Sequence, residues 1–172
     1  MVNSLSPGRT PVSTDDFVAV QRLIHRYCDA VVHRDADLWA NCWADEARWD
    51  LGRGRLVEGK EAIVSLWRSA MAGMVAVVQM AHNGDAWHTD EDLDRASGKW
   101  YIDERMHRTS GETGILLAHY DDDYVRDASN GWQFSRRFLQ PHYQGAADLS
   151  APFLNTAERF AEVAESIESA GA

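Results

Sequence analysis

Apolar residues recur three and four apart from the first turn of the chain's folded part. Phe17, Val20, Leu23, Ile24, Tyr27 and Val31 follow the start signal Ser13-Thr14-Asp15-Asp16, so the spacing predicts an amphipathic helix to about His33. Asp35 is placed to cap a short second helix with Leu38, Trp39, Cys42 and Trp43 on one face. Ala47 to Leu51 reads as a short strand, turned back by Gly52-Arg53-Gly54 towards Leu56-Val57. A third helix starts near Gly59, with Ala62, Ile63, Leu66, Trp67 and Ala70 inward.

The period then changes to two. Val75 to His88 reads as a strand, with Gly84 as a point of interruption. Gly98 to Arg108, Gly114 to Arg126 and Trp132 to Tyr143 follow as three more. Asn130-Gly131 is a hairpin signal between the last two. Helices first and then long antiparallel strands predict an α+β domain. Such a sheet, wrapped on its N-terminal helices, curls into a cone whose open end suits a small molecule. The expected organisation is a loose arm over 1–12, one domain over 13–148, and a C-terminal extension over 149–172 with a short acidic helix from Ala157 to Ser169.

Composition narrows the function classes. At 172 residues, 45% hydrophobic and 26% charged, the chain is an ordinary one-domain globule. A net charge of −10 with no Lys/Arg-rich stretch argues against nucleic-acid or anionic-membrane partners. Cys28 and Cys42 both fall in predicted helices and read as reduced core residues, and no stretch has the length of a membrane span or the form of a signal peptide. A cytoplasmic protein is expected. Seven Trp fit a large core, an aromatic pocket or an oligomer interface.

The chain resembles the SnoaL-like branch of the nuclear-transport-factor-2-like superfamily over roughly residues 15 to 143. The resemblance rests on Tyr27-Cys28-Asp29-Ala30-Val31, Arg34-Asp35-Ala36-Asp37-Leu38-Trp39, Trp43 to Trp49, Gly59-Lys60-Glu61-Ala62-Ile63, Tyr120 to Arg126 and Gly131-Trp132-Gln133-Phe134 with Arg136-Arg137, in that order. It implies the α+β cone, no cofactor and no metal, a homodimer or higher homo-oligomer paired through the outer sheet face, and likeness to scytalone dehydratase, hexachlorocyclohexane dehydrochlorinase and the bile-acid dehydratases. Those enzymes use a pocket histidine on the strand where His82 falls to remove a proton and drive an elimination. The bile-acid dehydratases add an aspartate on the next strand, matched here by Asp103. The aspartate that orients the histidine in the dehydrochlorinase and scytalone dehydratase aligns with Val32, and Asp29 lies close to one helical turn earlier. The resemblance places the faces carrying His82, Tyr101 and Tyr120 inside the cone.

Each candidate has a plain structural reading beside the chemical one. A strand histidine is a proton-transfer group matched to neutral pH, or a core histidine with satisfied nitrogens. If Tyr101 faces the pocket, so do Asp103 and Arg105, with Trp100, Ile102 and Glu104 opposite; Asp103 beside Arg105 is otherwise a surface ion-pair ladder. Tyr27 and Tyr120 polarise a substrate oxygen or fill the core. Arg137 holds a polar substrate group or, with Arg136, is surface charge. Trp49, Met80 and Leu116 complete the expected lining with Tyr101, Asp29, Val32 and Arg105. Trp100, opposite the expected pocket, is the aromatic that motivates the homodimer.

Metal chemistry lacks a ligand cluster. His82 and His88 on a regular strand stand about 20 Å apart, whereas ligands of one zinc each come within about 2 Å of it. His25 and His33 are two helical turns apart. Asp121-Asp122-Asp123 reads as a solvated acidic run. The expectation is a cofactor-independent lyase on a small, mostly apolar, aromatic or polycyclic hydroxylated substrate, acting by dehydration or retro-aldol loss of an aldehyde. An isomerase and a non-catalytic ligand-binding protein are the alternatives.

Overall fold

The computed structural model describes residues 8–154. The elements are β1 (Thr10–Pro11), α1 (Thr14–His33), α2 (Ala36–Ala40), β2 (Trp43–Asp50), β3 (Leu56–Glu58), α3 (Lys60–Ala72), β4 (Met74–His88), β5 (Arg95–Arg108), β6 (Thr113–Asp127) and β7 (Gly131–Gly145). The helix expected over Ala157 to Ser169 lies outside the described residues. Part of the expected arm is paired: Thr10 and Pro11 sit against His88 and Trp87, with the Arg9 guanidinium 3.9 Å above the Trp87 ring.

Local chemistry sets the ends of α1. The Ser13 hydroxyl accepts the Asp16 N–H at 3.1 Å, satisfying one of the donors a helix start leaves free. Arg34 closes the other end in the left-handed region, φ 55°. Between them Val20, Leu23, Ile24, Tyr27 and Val31 are buried, and each such aliphatic side chain contributes about 1.5–3 kcal/mol.

All seven strands form one curved, open sheet of order β1-β4-β5-β6-β7-β2-β3. It is antiparallel except where β2 runs parallel to β7. That pairing corrects the expected second helix, which ends at Ala40. The Phe134 N–H donates to the Cys42 carbonyl at 2.8 Å, and the Gln133 side chain donates to the Asn41 and Trp43 carbonyls, both at 3.1 Å. Cys42 and Trp43 are thereby drawn out of helix and into the sheet margin. Trp43 still packs with the helices, 5.2 Å from Trp39, which stacks on Trp67 of α3 at 4.7 Å. No helix among the described residues is long and apolar enough to cross a membrane.

The faces of β5, and of β4 before its bulge, are the reverse of the expected ones. Trp100 stacks on Phe17 of α1 at 5.9 Å, so Trp100, Ile102 and Glu104 face the helices. Tyr101, Asp103 and Arg105 face the outer side by strand alternation. In β4, Val77, Gln79 and Ala81 pair with Met106, Glu104 and Ile102 on the inner side. Then His82 and Asn83 together oppose Tyr101, and Gly84 pairs with Trp100. This is a β-bulge, which shifts the inner positions from odd to even numbers. Trp100 is therefore interior and contributes nothing to the outer face.

Candidate active site

The bulge turns His82 out of the ladder and into an open groove between α1 and β4. His25, Cys28, Asp29 and Val32 of α1 form one wall, and Gln79, Met80, Ala81 and His82 form the other, around about 380 Å³. The α1 residues are spaced one helical turn apart and share a face. Asp29 is thus brought to the groove of His82, and Val32 and Met80 line it too. Asp29 is exposed and its Oδ1 lies 3.2 Å from His33 Nδ1.

Beneath the groove floor runs a polar line into the cone. The Cys28 thiol donates to Gln79 Oε1 at 3.6 Å, and Gln79 Nε2 donates to Glu104 Oε2 at 2.6 Å. Burial lifts the Glu104 carboxyl above its ordinary range, against the hydrogen bond from Gln79 and the charge of Arg108. Burial likewise pushes the Cys28 thiol up to about 11. A buried carboxyl whose pKa is raised is a candidate proton donor. Alternation groups Glu104 with Trp100 and Ile102 correctly, but the resemblance puts that face outside; the signal that finds Glu104 is the stacking of Trp100 on Phe17.

The remaining expected residues do not join this groove. Asp103 does not line it: by strand alternation it sits on the outer face, ion-paired with Arg105 at 3.1 Å, beside Tyr101, which packs on His119 and His142. Leu116 lines a separate cavity of about 310 Å³ with Leu51, Arg53 and Leu139. Trp49 is packed against Trp39 at 5.5 Å and Trp43 at 5.9 Å.

Tyr27, Tyr120 and Arg137 lie in the core. The two phenols are hydrogen-bonded to each other, and burial raises both above their ordinary range. Arg137 spans their rings, 4.2 and 3.8 Å from the centroids. Its guanidinium donates to Asp122 at 3.0 and 3.2 Å, and the Tyr124 hydroxyl donates to the same carboxylate at 3.1 Å. This corrects the solvated reading of the acidic run, in which Asp122 is buried. Removing one partner of such a pair costs about 3–5 kcal/mol. Among the described residues no group of three or more His, Cys, Asp or Glu converges on one point.

No curated protein matches the chain. Solved structures do. A protein from Novosphingobium aromaticivorans, provisionally assigned as an aromatic ring hydroxylase, is 22% identical, with 77% of this chain and 94% of that one covered at a TM-score of 0.71. A type 3 hexachlorocyclohexane dehydrochlorinase from Novosphingobium barchaimii is 18% identical, with 80% and 92% covered at 0.67. A provisionally assigned scytalone dehydratase from N. aromaticivorans is 16% identical, with 80% and 90% covered at 0.68. At these identities the likeness is one of fold. The sequence itself matches the SnoaL-like domain over residues 12–138, and to that family the chain belongs.

Proposed function

We propose that this chain is a cofactor-independent lyase, eliminating water from a small, mostly apolar hydroxylated substrate or releasing an aldehyde from it by retro-aldol cleavage. The observation that carries the reading is the placement of His82 and Asp29 in one open groove whose floor residue Gln79 is bonded to the acid Glu104. Likeness of fold to a dehydrochlorinase and a provisionally assigned dehydratase supports the reaction class.

His82 as neutral imidazole takes the proton, from carbon in a dehydration or from a hydroxyl in a retro-aldol cleavage. Asp29 stabilises the imidazolium that forms. Glu104, whose carboxyl burial shifts towards the protonated form, supplies the proton that the departing hydroxyl or the developing carbanion needs. His82 is three residues from Gln79, about 10 Å along the strand, a span that a substituted aromatic or fused ring covers. A non-catalytic role, in which the cone serves only packing and the groove at most binds a ligand, is the second reading; the filling of the cone interior by Tyr27, Trp39, Trp43 and Phe134 favours it.

The test is a panel of hydroxylated aromatic and polycyclic compounds, followed by product mass and by the absorbance of new conjugation. His82→Ala should lose about 10²–10⁴-fold in turnover with its melting temperature unchanged, since His82 is exposed. Turnover that survives this change removes His82 as the base. Binding of panel compounds without any product establishes the binding role instead.

A further inference from the structure

The outer face of the sheet carries a second constellation of titratable groups, away from the groove. Tyr101 of β5 pairs with His119 of β6, and His119 with Gln140 of β7. An irregularity of β7 after Pro141, which pairs with Ala118, brings His142 round to the same patch. His119 Nδ1 and His142 Nε2 stand 2.8 Å apart, and the two ring centres 4.9 Å apart. Tyr101 stacks on His142 at 6.0 Å and 16°, which holds that ring in place.

We propose that His119 and His142 form a two-imidazole chelate for a divalent transition ion of the copper(II) or zinc(II) kind, with solvent completing the shell. An ion about 2.0–2.1 Å from each nitrogen lies about 3.2 Å from each ring centre. Ring centres 4.9 Å apart then subtend roughly 100° at the ion, between the right angle of a square plane and the tetrahedral angle. The rings reach that arrangement by swivelling about their side-chain bonds, without moving apart.

The hydrogen-bond pattern prepares the ligands. Asp121 Oδ2 lies 3.3 Å from His119 Nε2 and accepts its proton, which leaves the Nδ1 lone pair free. A carboxylate behind a ligating imidazole is the usual orienting arrangement. In the unloaded pair His142 Nε2–H donates to that lone pair. Ion binding shifts this proton to His142 Nδ1, the other neutral tautomer, so no net proton is released at neutral pH. Lys99 is the group that opposes a cation here; it is 3.4 Å from Asp121.

The test is calorimetric titration of the full chain with copper sulfate alone and with zinc sulfate alone at neutral pH, with the paramagnetic resonance spectrum of the copper form. One equivalent should bind, and the copper spectrum should show two imidazole nitrogens. His119→Asn and His142→Gln should each weaken binding at least tenfold; if one fails to fold, the other carries the test. Asp121→Asn should weaken it by about 10–100-fold through loss of ligand orientation, and Lys99→Gln should tighten it. Affinity unchanged in both histidine variants overturns the proposal. So does copper binding that survives in them but is lost in His33→Asn. Binding of one ion and not the other tells which geometry the pair adopts and sustains the chelate.

Discussion

In the proposed reaction Glu104 is the proton donor, and its raised pKa gives two separable signatures. Its folded-state pKa is raised by burial. The sign follows: the group adds stability that is full below the unfolded-state value, about 4.3, and is lost as pH rises through the folded value. Turnover that needs the protonated carboxyl falls over the same upward range. Glu104→Gln keeps an amide donor and acceptor towards Gln79 and removes the charge. It should be at least as stable as the parent at neutral pH by chemical denaturation, yet lose about 10²–10⁴-fold in turnover. A variant with full turnover shows that the reaction does not use this carboxyl. The two aspartates sort in the same way. Asp29→Asn, in the groove, should lower turnover, whereas Asp103→Asn, ion-paired with Arg105 on the outer face, should leave it near that of the parent. Steady-state rates on the best panel substrate decide both.

At the scale of elements, the extra residue in β4 determines which side chains meet. Alternation read from Val75 to His88 assumes a regular strand, and the resemblance supplied the facing. Two residues opposite Tyr101 break that assumption, and no residue type at 82–83 announces the bulge. Gly84, where an interruption of the strand was expected, is its nearest trace: a Cβ there would collide with the Trp100 ring and the Lys99 carbonyl. Other elements were legible because their chemistry is local. Ser13 with Asp16 begins α1, and Asn130-Gly131, with Gly131 at φ 72°, turns β6 into β7. The end of α2 was not legible, because it depends on Gln133 and Phe134, some ninety residues away. Gly84→Ala should therefore destabilise by about 1–3 kcal/mol through overpacking, a fall of several degrees in the thermal midpoint. Since the bulge positions His82, turnover should fall below what the lost stability explains. A melt superimposable on the parent's would mean that the Trp100 ring yields at no cost.

At the scale of the molecule, the reversed facing changes what the outer surface offers. The aromatic residue expected there, Trp100, is interior, but Val78, Met80 and Tyr101 remain, 42%, 45% and 37% exposed. Cross-strand pairing puts Val78 beside Arg105 and Met80 beside Asp103 on that face. Apolar side chains gathered on one sheet face mark an association surface, and a two-fold pairing of identical faces is the commonest closed form. A homodimer through this face is the expected state. The chain carries −10, so each copy repels the other and the repulsion is screened as salt rises. Dimerisation driven by the apolar face should therefore strengthen from low to moderate ionic strength, the opposite of the trend for a contact held by ion pairs. Val78→Lys places a charge at the centre of the patch and should shift the chain to monomer at micromolar concentration by light scattering, with the groove and its turnover intact. A monomeric parent at every salt concentration, or a dimer indifferent to Val78→Lys, would move the association surface off this face.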